Sequence, residues 1–396
     1  MTGQRLVVRG RLLLLLAALA AFAPMSLDLY LPAFPSIADA LGVPEGQMQV
    51  TFSACLIGLG AGQLIYGPLS DRYGRRRPLI VGLIVYTVAS LACALAPSLW
   101  ALVALRLLQG LGGCAGLVIS RAIVRDLTEG TALARAYSTL SSVSLIAPLI
   151  APTIGAGILL FAPWQGAFIV LACFGLLCLL GVSRLPETHA ASDRVDTPLA
   201  GVGRLLCTPG FLIPAGIAAL ASASLFAYIS SSPLIIIESY AVPPIGFALI
   251  FSLMTCAFIL GPRANLWLLA RWHPRDMLRV TVPAQIPCAL AVLLLLNAHA
   301  PLWSVLSALA LLMVCIGGTL PNAVAIAMSQ ATAGAASALL GAAQMGMGAL
   351  VAGSLALLTW PPHLEIGVVM TGAAAVATLL MTVGAAHLRD PHGQIR

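Results

Sequence analysis

Few residues in this chain can do chemistry, and those few sit among apolar neighbours. Asp28, in Ser26-Leu27-Asp28-Leu29-Tyr30-Leu31-Pro32, is the acid that falls inside a long apolar run. A carboxyl within a bilayer is costly, and such groups usually face a cavity or partner and mark a proton or ion route. The competing reading puts Asp28 at the outer interface, solvated, where it ends the helix. Arg106 lies in a second apolar run, three residues before Gln109, so the two share a helix face. A guanidinium keeps its proton, so Arg106 suits influencing a carboxylate or holding a hydrogen-bond network rather than carrying a proton. Its alternative is snorkelling to the outer surface. Glu238 is the next carboxyl in line should Asp28 not be the proton site. Tyr30, Gln109, Tyr228, Met254 and Met345, with Ser222 and Ser224, are candidates for walls of a substrate cavity.

Those groups must be positioned by helices that cross a membrane. Hydrophobic residues make up 60% of the chain and charged residues 8%, against about 25% charged in soluble domains. Apolar runs of roughly 18 to 25 residues recur, each long enough as a helix to cross ~30 Å of hydrocarbon. A barrel would show alternating ~10-residue segments instead. Spans are expected near 12–34, 50–69, 78–96, 100–121, 137–160, 165–184, 210–232, 245–263, 277–297, 302–322, 333–357 and 365–387, with the seventh exit ambiguous. The opening Arg5, Arg9 and Arg11, apolar run and Ala21-Phe22-Ala23 imitate a secretory signal, but the run continues to Phe34, which favours an uncleaved first helix.

Every basic residue is arginine. With a cytoplasmic N-terminus, all arginines but Arg106 fall at or near the inner face, the bias expected of a multi-pass protein with both termini cytoplasmic. The formal charge of +7 then reflects topology and contact with anionic lipid rather than nucleic acid. The absence of lysine excludes a Walker-type phosphate loop and a Schiff-base enzyme. The cysteines show no paired spacing, and the histidines lie in loops or at helix ends, so no metal site or catalytic constellation is indicated. The polar stretch 185–208 separates six spans (1–184) from six (209–396), which suggests two pseudo-symmetric six-helix halves around a midplane cavity. Gly261-Pro262-Arg263, with Arg271, Arg275, Asp276 and Arg279, faintly echoes a charged loop in the first half.

That loop is Gly67-Pro68-Leu69-Ser70-Asp71-Arg72-Tyr73-Gly74-Arg75-Arg76-Arg77. It resembles the loop 2–3 signature, G-x-L-x-D-R-x-G-R-R, of the major facilitator superfamily. Arg106-Leu107-Leu108-Gln109-Gly110 resembles that superfamily's R-x-x-Q-G motif. Asp28-Leu29-Tyr30-Leu31-Pro32-Ala33-Phe34-Pro35 resembles the first helix of Bcr/CflA-type drug–proton antiporters. The segment Ala147-Pro148-Leu149-Ile150-Ala151-Pro152-Thr153-Ile154-Gly155 resembles, in part, the G-x-x-x-G-P-x-x-G-G antiporter motif.

The resemblance implies an all-α protein of twelve transmembrane helices with the major facilitator fold, acting as a monomer in the bacterial inner membrane. It implies a proton-coupled exporter of small, mostly apolar drugs by alternating access, with Asp28 and Arg106 in proton coupling. Gly67, Asp71, Arg72, Gly74, Arg75, Pro148, Pro152 and Gly155 would serve gating. Asp71 would meet the start of the eleventh helix near Ala333, with Arg72, Arg75 or Arg125 as further partners. No cofactor is called for, because the proton gradient supplies the energy. Export of a metabolite such as an amino acid, or proton-coupled import, is the alternative on the same fold.

Overall fold

Prolines set the shape of the first membrane segment. Pro24 and Pro32 lack the N–H groups that would bond Ala20 and Asp28 four residues earlier. In the computed structural model, which describes residues 10–189, 202–329, 333–357 and 361–384, the segment is accordingly broken. It runs as α1 (Gly10–Ala20), α2 (Phe22–Asp28), a 3-10 turn at Leu31–Ala33 and α3 (Phe34–Leu41). The parts on either side of Ala21 meet at a 43° bend. Ser144 places its hydroxyl 3.5 Å from the Ala20 carbonyl that Pro24 leaves free.

All regular structure among the described residues is helical. The long helices are α4 (Met48–Tyr73), α5 (Arg76–Cys93), α6 (Leu99–Leu127), α7 (Gly130–Ile158) and α8 (Gln165–Ser183). After the short α9 (Val202–Leu205) come α10 (Pro209–Pro233), α11 (Pro244–Leu268), α12 (Pro274–Asn297), α13 (Leu302–Met328), α14 (Ala333–Leu357) and α15 (Pro362–Val383). Among the described residues eleven helices are long and apolar enough to span a membrane, and the bent first pair makes a twelfth when counted as one span. The fold is therefore the expected all-α membrane architecture.

Several boundaries differ from the sequence expectation. The fourth span continues to Leu127, so Arg121 and Arg125 lie inside a helix rather than beyond its end. The fifth begins at Gly130 and stays continuous through Pro148 and Pro152. At the ambiguous seventh exit, α10 passes into a π-helical turn, Leu234–Ser239, which carries Glu238 to the end of the span.

Two compact units are present. The first comprises Met1–Pro198 with Ser232–Ser252, and the second Leu199–Ser231 with Leu253–Arg396. The segment 232–252, at the end of α10 and the start of α11, thus packs with the first unit, where Ser252 donates to the Leu149 carbonyl at 2.8 Å. Within the first unit α4 lies along α6, and α5 packs on α6 and α8. The second unit repeats this arrangement, with α12 packed on α13 and α15, around a core that includes Phe211, Leu278, Val282, Ala336 and Met381. Val81, Val88, Leu177 and Leu180 are exposed, as lipid-facing side chains of a membrane bundle would be.

The faint echo of the charged loop has a neutral counterpart in the second unit. Asn265 stands four residues after Gly261, as Asp71 stands four after Gly67. Asn265 and Asn322 face each other across α11 and α13 as a buried amide pair, with N···O distances of 2.7 and 3.4 Å. Asn322 also donates to the Gly318 carbonyl. Arg279 pairs with Asp276, an exposed ion pair within one turn.

Candidate functional site

Asp28 ends α2, where the chain leaves helical geometry ahead of Pro32. Its side chain is 3% exposed, so it does not sit solvated at an interface. Among the described residues no hydrogen bond or ion pair reaches its carboxyl. The next residue, Leu29, is gripped from α7. A Cβ on Gly155 would lie 1.9 Å from the Leu29 carbonyl oxygen. Only glycine lets α7 come this close to the break in the first helix, so Gly155 fixes the backbone that carries Asp28.

Arg106 is fully buried on α6 and does not reach the outer surface. Its Nη2 donates to the Ser26 carbonyl at 2.9 Å, and Nη1 donates to Gln109 Oε1. The guanidinium lies over the Tyr30 ring, 4.0 Å from the centroid, with Phe168 at 5.9 Å. Gln109 passes the network on by donating to Ser90 Oγ at 2.7 Å. Ser26 Oγ is 3.0 Å from the Tyr86 hydroxyl, and the Tyr30 and Thr51 hydroxyls are 3.2 Å apart. Of the two roles open to Arg106, the geometry is that of the network-holder. It clamps the backbone two residues before Asp28 and the aromatic ring two residues after it, without bonding the carboxyl itself.

Two of the candidate substrate contacts lie within this network. Tyr30 and Gln109 are fully buried and occupied by Arg106. Tyr228 and Met254 are also buried, whereas Met345 is half-buried.

A second cluster joins the start of α5 to the end of α6. Arg75, only 2% exposed, donates from Nη1 to Asp71 Oδ1 at 2.5 Å and to Ser70 Oγ at 3.0 Å, and from Nε to Asp126 Oδ2 at 2.8 Å. Asp71 therefore pairs with Arg75. Arg72 instead stacks on Tyr73 at 5.5 Å, and among the described residues Arg125 makes no ion pair. The segment 330–332, ahead of α14, lies outside the described residues. Gly67 does not need its missing side chain for a close approach, since a Cβ there would meet nothing within 4 Å.

Gly74 does need it. Its φ is +87°, a left-handed region that disfavours a side chain, and a Cβ would lie 2.6 Å from Glu187 Oε2. Glu187, like Asp126, is a participant that sequence reasoning missed. Its Oε1 accepts from the backbone N–H groups of Arg75, Thr188 and His189 at 2.8, 3.1 and 3.1 Å, and Oε2 accepts from Arg76 at 3.1 Å. Partial burial opposes its charge, but these backbone donors outweigh that and hold its carboxyl below the usual glutamate range. The first residues after α8 are thus seated on the amino end of α5, where the helix dipole favours an anion.

Residues 16–356 match the Major Facilitator Superfamily. An uncharacterized MFS-type transporter of Bacillus subtilis, YdgK, is 35% identical over 94% of each chain. A bicyclomycin resistance protein homolog of Haemophilus influenzae is 31% identical over 87% of this chain and 88% of its own. The multidrug resistance protein MdtL of Klebsiella pneumoniae is 31% identical over 85% and 86%. In fold, the chain is similar to the xylose transporter XylE from E. coli in a partially occluded inward open conformation, with a TM-score of 0.76, 12% identity and coverage of 98% and 99%. A bacterial homolog of the human lysosomal transporter Spinster aligns with a TM-score of 0.68 at 15% identity, covering 96% and 95%. Helical spans, motif residues and relatives agree: this chain belongs to the major facilitator superfamily, as a multi-pass membrane transporter and not an enzyme.

Proposed function

We propose that this transporter is a proton-coupled exporter of small, mostly apolar drugs, working by alternating access in a bacterial inner membrane with both termini cytoplasmic. The observation that carries this reading is Asp28, buried at 3% exposure on a broken membrane helix with no polar partner among the described residues. A membrane carboxyl with no counter-ion is costly while charged. Asp28 would therefore hold a proton when shut away from water and give it up when the site hydrates. Arg106 cannot compete for that proton; it keeps Ser26 and Tyr30 in place on either side, so hydration of Asp28 follows movement of the helix and not fluctuation of the loop. Inward movement of one charge through 100 mV yields about 2.3 kcal/mol, enough for roughly a 50-fold substrate gradient at 1.4 kcal/mol per tenfold.

Export is favoured over uptake by the names of the relatives, two of which are resistance proteins. The test is accumulation in an efflux-deficient host. Cells expressing the chain should hold less ethidium than controls, and a protonophore should erase the difference. Unchanged drug levels together with lowered cellular amino acids would favour the metabolite exporter instead.

A further inference from the structure

The cluster around Arg75 contains a histidine, the side chain whose charge ordinarily changes between about pH 5 and 8. His189 follows the end of α8, and the Glu187 carboxylate accepts from its backbone N–H at 3.1 Å. That anchor sets the imidazole against both members of a buried ion pair. Its Nδ1 is 3.5 Å from Arg75 Nη2 and 4.0 Å from Asp126 Oδ2. The same Asp126 Oδ2 accepts from Arg75 Nε at 2.8 Å, and Oδ1 accepts from Arg75 Nη2 at 3.4 Å. The ring is 11% exposed, and among the described residues its buried Nε2 has no hydrogen-bond partner. His189 thus faces Arg75 from α5, Asp126 from α6 and Glu187 from its own segment. Asp71 of α4 lies beyond it, on Arg75 Nη1.

Neutral and protonated imidazole make opposite demands on these neighbours. A guanidinium can only donate, so the contact with Arg75 Nη2 suits a neutral ring whose Nδ1 is a lone pair and whose proton sits on Nε2. Adding a proton turns Nδ1 into a donor. It can no longer face Arg75, and Asp126 becomes its acceptor. Two cations then compete for one carboxylate, and the cations repel each other. We propose that His189 is a proton-operated release for this cluster: on binding a proton it draws Asp126 from Arg75 and loosens the tie between α5 and α6. The switch itself needs no assumption about transport. Its physiological meaning rests on the export reading, in which this cluster faces the cytoplasm. A transporter that admits protons would then slow as they accumulate on that side.

The test is amide hydrogen exchange of the full chain in phosphatidylcholine nanodiscs, read by mass spectrometry in peptides covering the start of α5 and the end of α6. Exchange is compared at about pH 8 and about pH 6, on either side of the ordinary histidine range, after correction for the intrinsic pH dependence of exchange. In the wild type both peptides should exchange roughly threefold faster at the lower pH. His189→Asn, whose amide oxygen can accept from Arg75 but takes up no proton, should exchange slowly at both. His189→Arg, charged throughout, should exchange fast at both. A wild type with no pH response, or a His189→Asn protein that follows the wild type, overturns the proposal. Ethidium export in inverted membrane vesicles separates the two levels. Export without any pH response of exchange sinks this inference alone. The predicted exchange pattern without export upholds the switch and sinks the export reading.

Discussion

Gly155→Ala is the sharpest perturbation the structure offers. The added Cβ would sit 1.9 Å from the Leu29 carbonyl oxygen, whereas a carbon and a carbonyl oxygen normally approach no closer than about 3.3 Å. The difference requires α7 and the broken first helix to separate by roughly 1.4 Å. Neither side can yield by turning a side chain, because the opposing atom is backbone. Overpacking of this kind costs about 1–3 kcal/mol, equivalent to roughly 5–150-fold in an equilibrium. The loss should appear in two places. Thermal unfolding of the purified protein should move down, and ethidium export should fall by at least fivefold, because Asp28 immediately precedes the displaced carbonyl. Gly157→Ala is the control: a Cβ there meets nothing within 4 Å, and stability and transport should stay near wild type. A Gly155→Ala protein as stable and as active as Gly157→Ala would refute the claim that this contact sets the geometry around Asp28.

Other outcomes follow from the same contacts. Arg106→Ala should reach the membrane but lose export, with Cys55 or Cys93 nearby becoming reactive to thiol reagents as the network opens; normal export by a well-expressed variant would remove Arg106 from the mechanism. Glu187→Gln should weaken the seat on α5. Because the Glu187 carboxyl is held below its ordinary range, the stability it adds is present above the unfolded-state carboxyl pKa and is lost as pH falls through the lower folded-state value. The wild type should therefore lose more thermal stability than Glu187→Gln on acidification to that range, and parallel curves would contradict this. Asn322→Ala should lower the melting temperature while leaving the ratio of export at two pH values unchanged, since a neutral amide pair has no proton to lose; a shifted pH profile would count against that role.

The spans, the charged loop and the polar pair Arg106 and Gln109 were legible because each is local. An apolar run of twenty residues, a tight Gly-Asp-Gly-Arg spacing and an i, i+3 pair all carry their meaning within a few turns. What remained hidden was long-range. Glu187 and Arg75 lie 112 residues apart, and nothing in the dipeptide Pro186-Glu187 says which helix start it will cap. Gly155 looked like one of several glycines around a kink, because its partner, Leu29, is a backbone oxygen with no sequence signature. Asp126, the acid that meets Arg75, gave no signal of its own, since a charged residue at a helix end does not reveal which face turns toward the neighbouring loop. Tyr30 and Gln109 read as cavity walls because polar residues in a span suggest an open site; their burial against Arg106 is set by packing between helices, which no spacing along the chain announces. The neutral pair Asn265 and Asn322 was legible in principle, through the same four-residue offset from a Gly-Pro step that places Asp71.

The central claim is that Asp28 carries the coupled proton, and the direct measurement is proton release on adding substrate. Purified protein in weakly buffered detergent solution, followed with a pH-sensitive dye, should release protons when ethidium is added, in proportion to the protein present. Asp28→Asn, whose neutral amide mimics the protonated acid, should bind ethidium and release none. Proton release by Asp28→Asn equal to that of the wild type would place the coupling elsewhere, with Glu238 as the next carboxyl to replace.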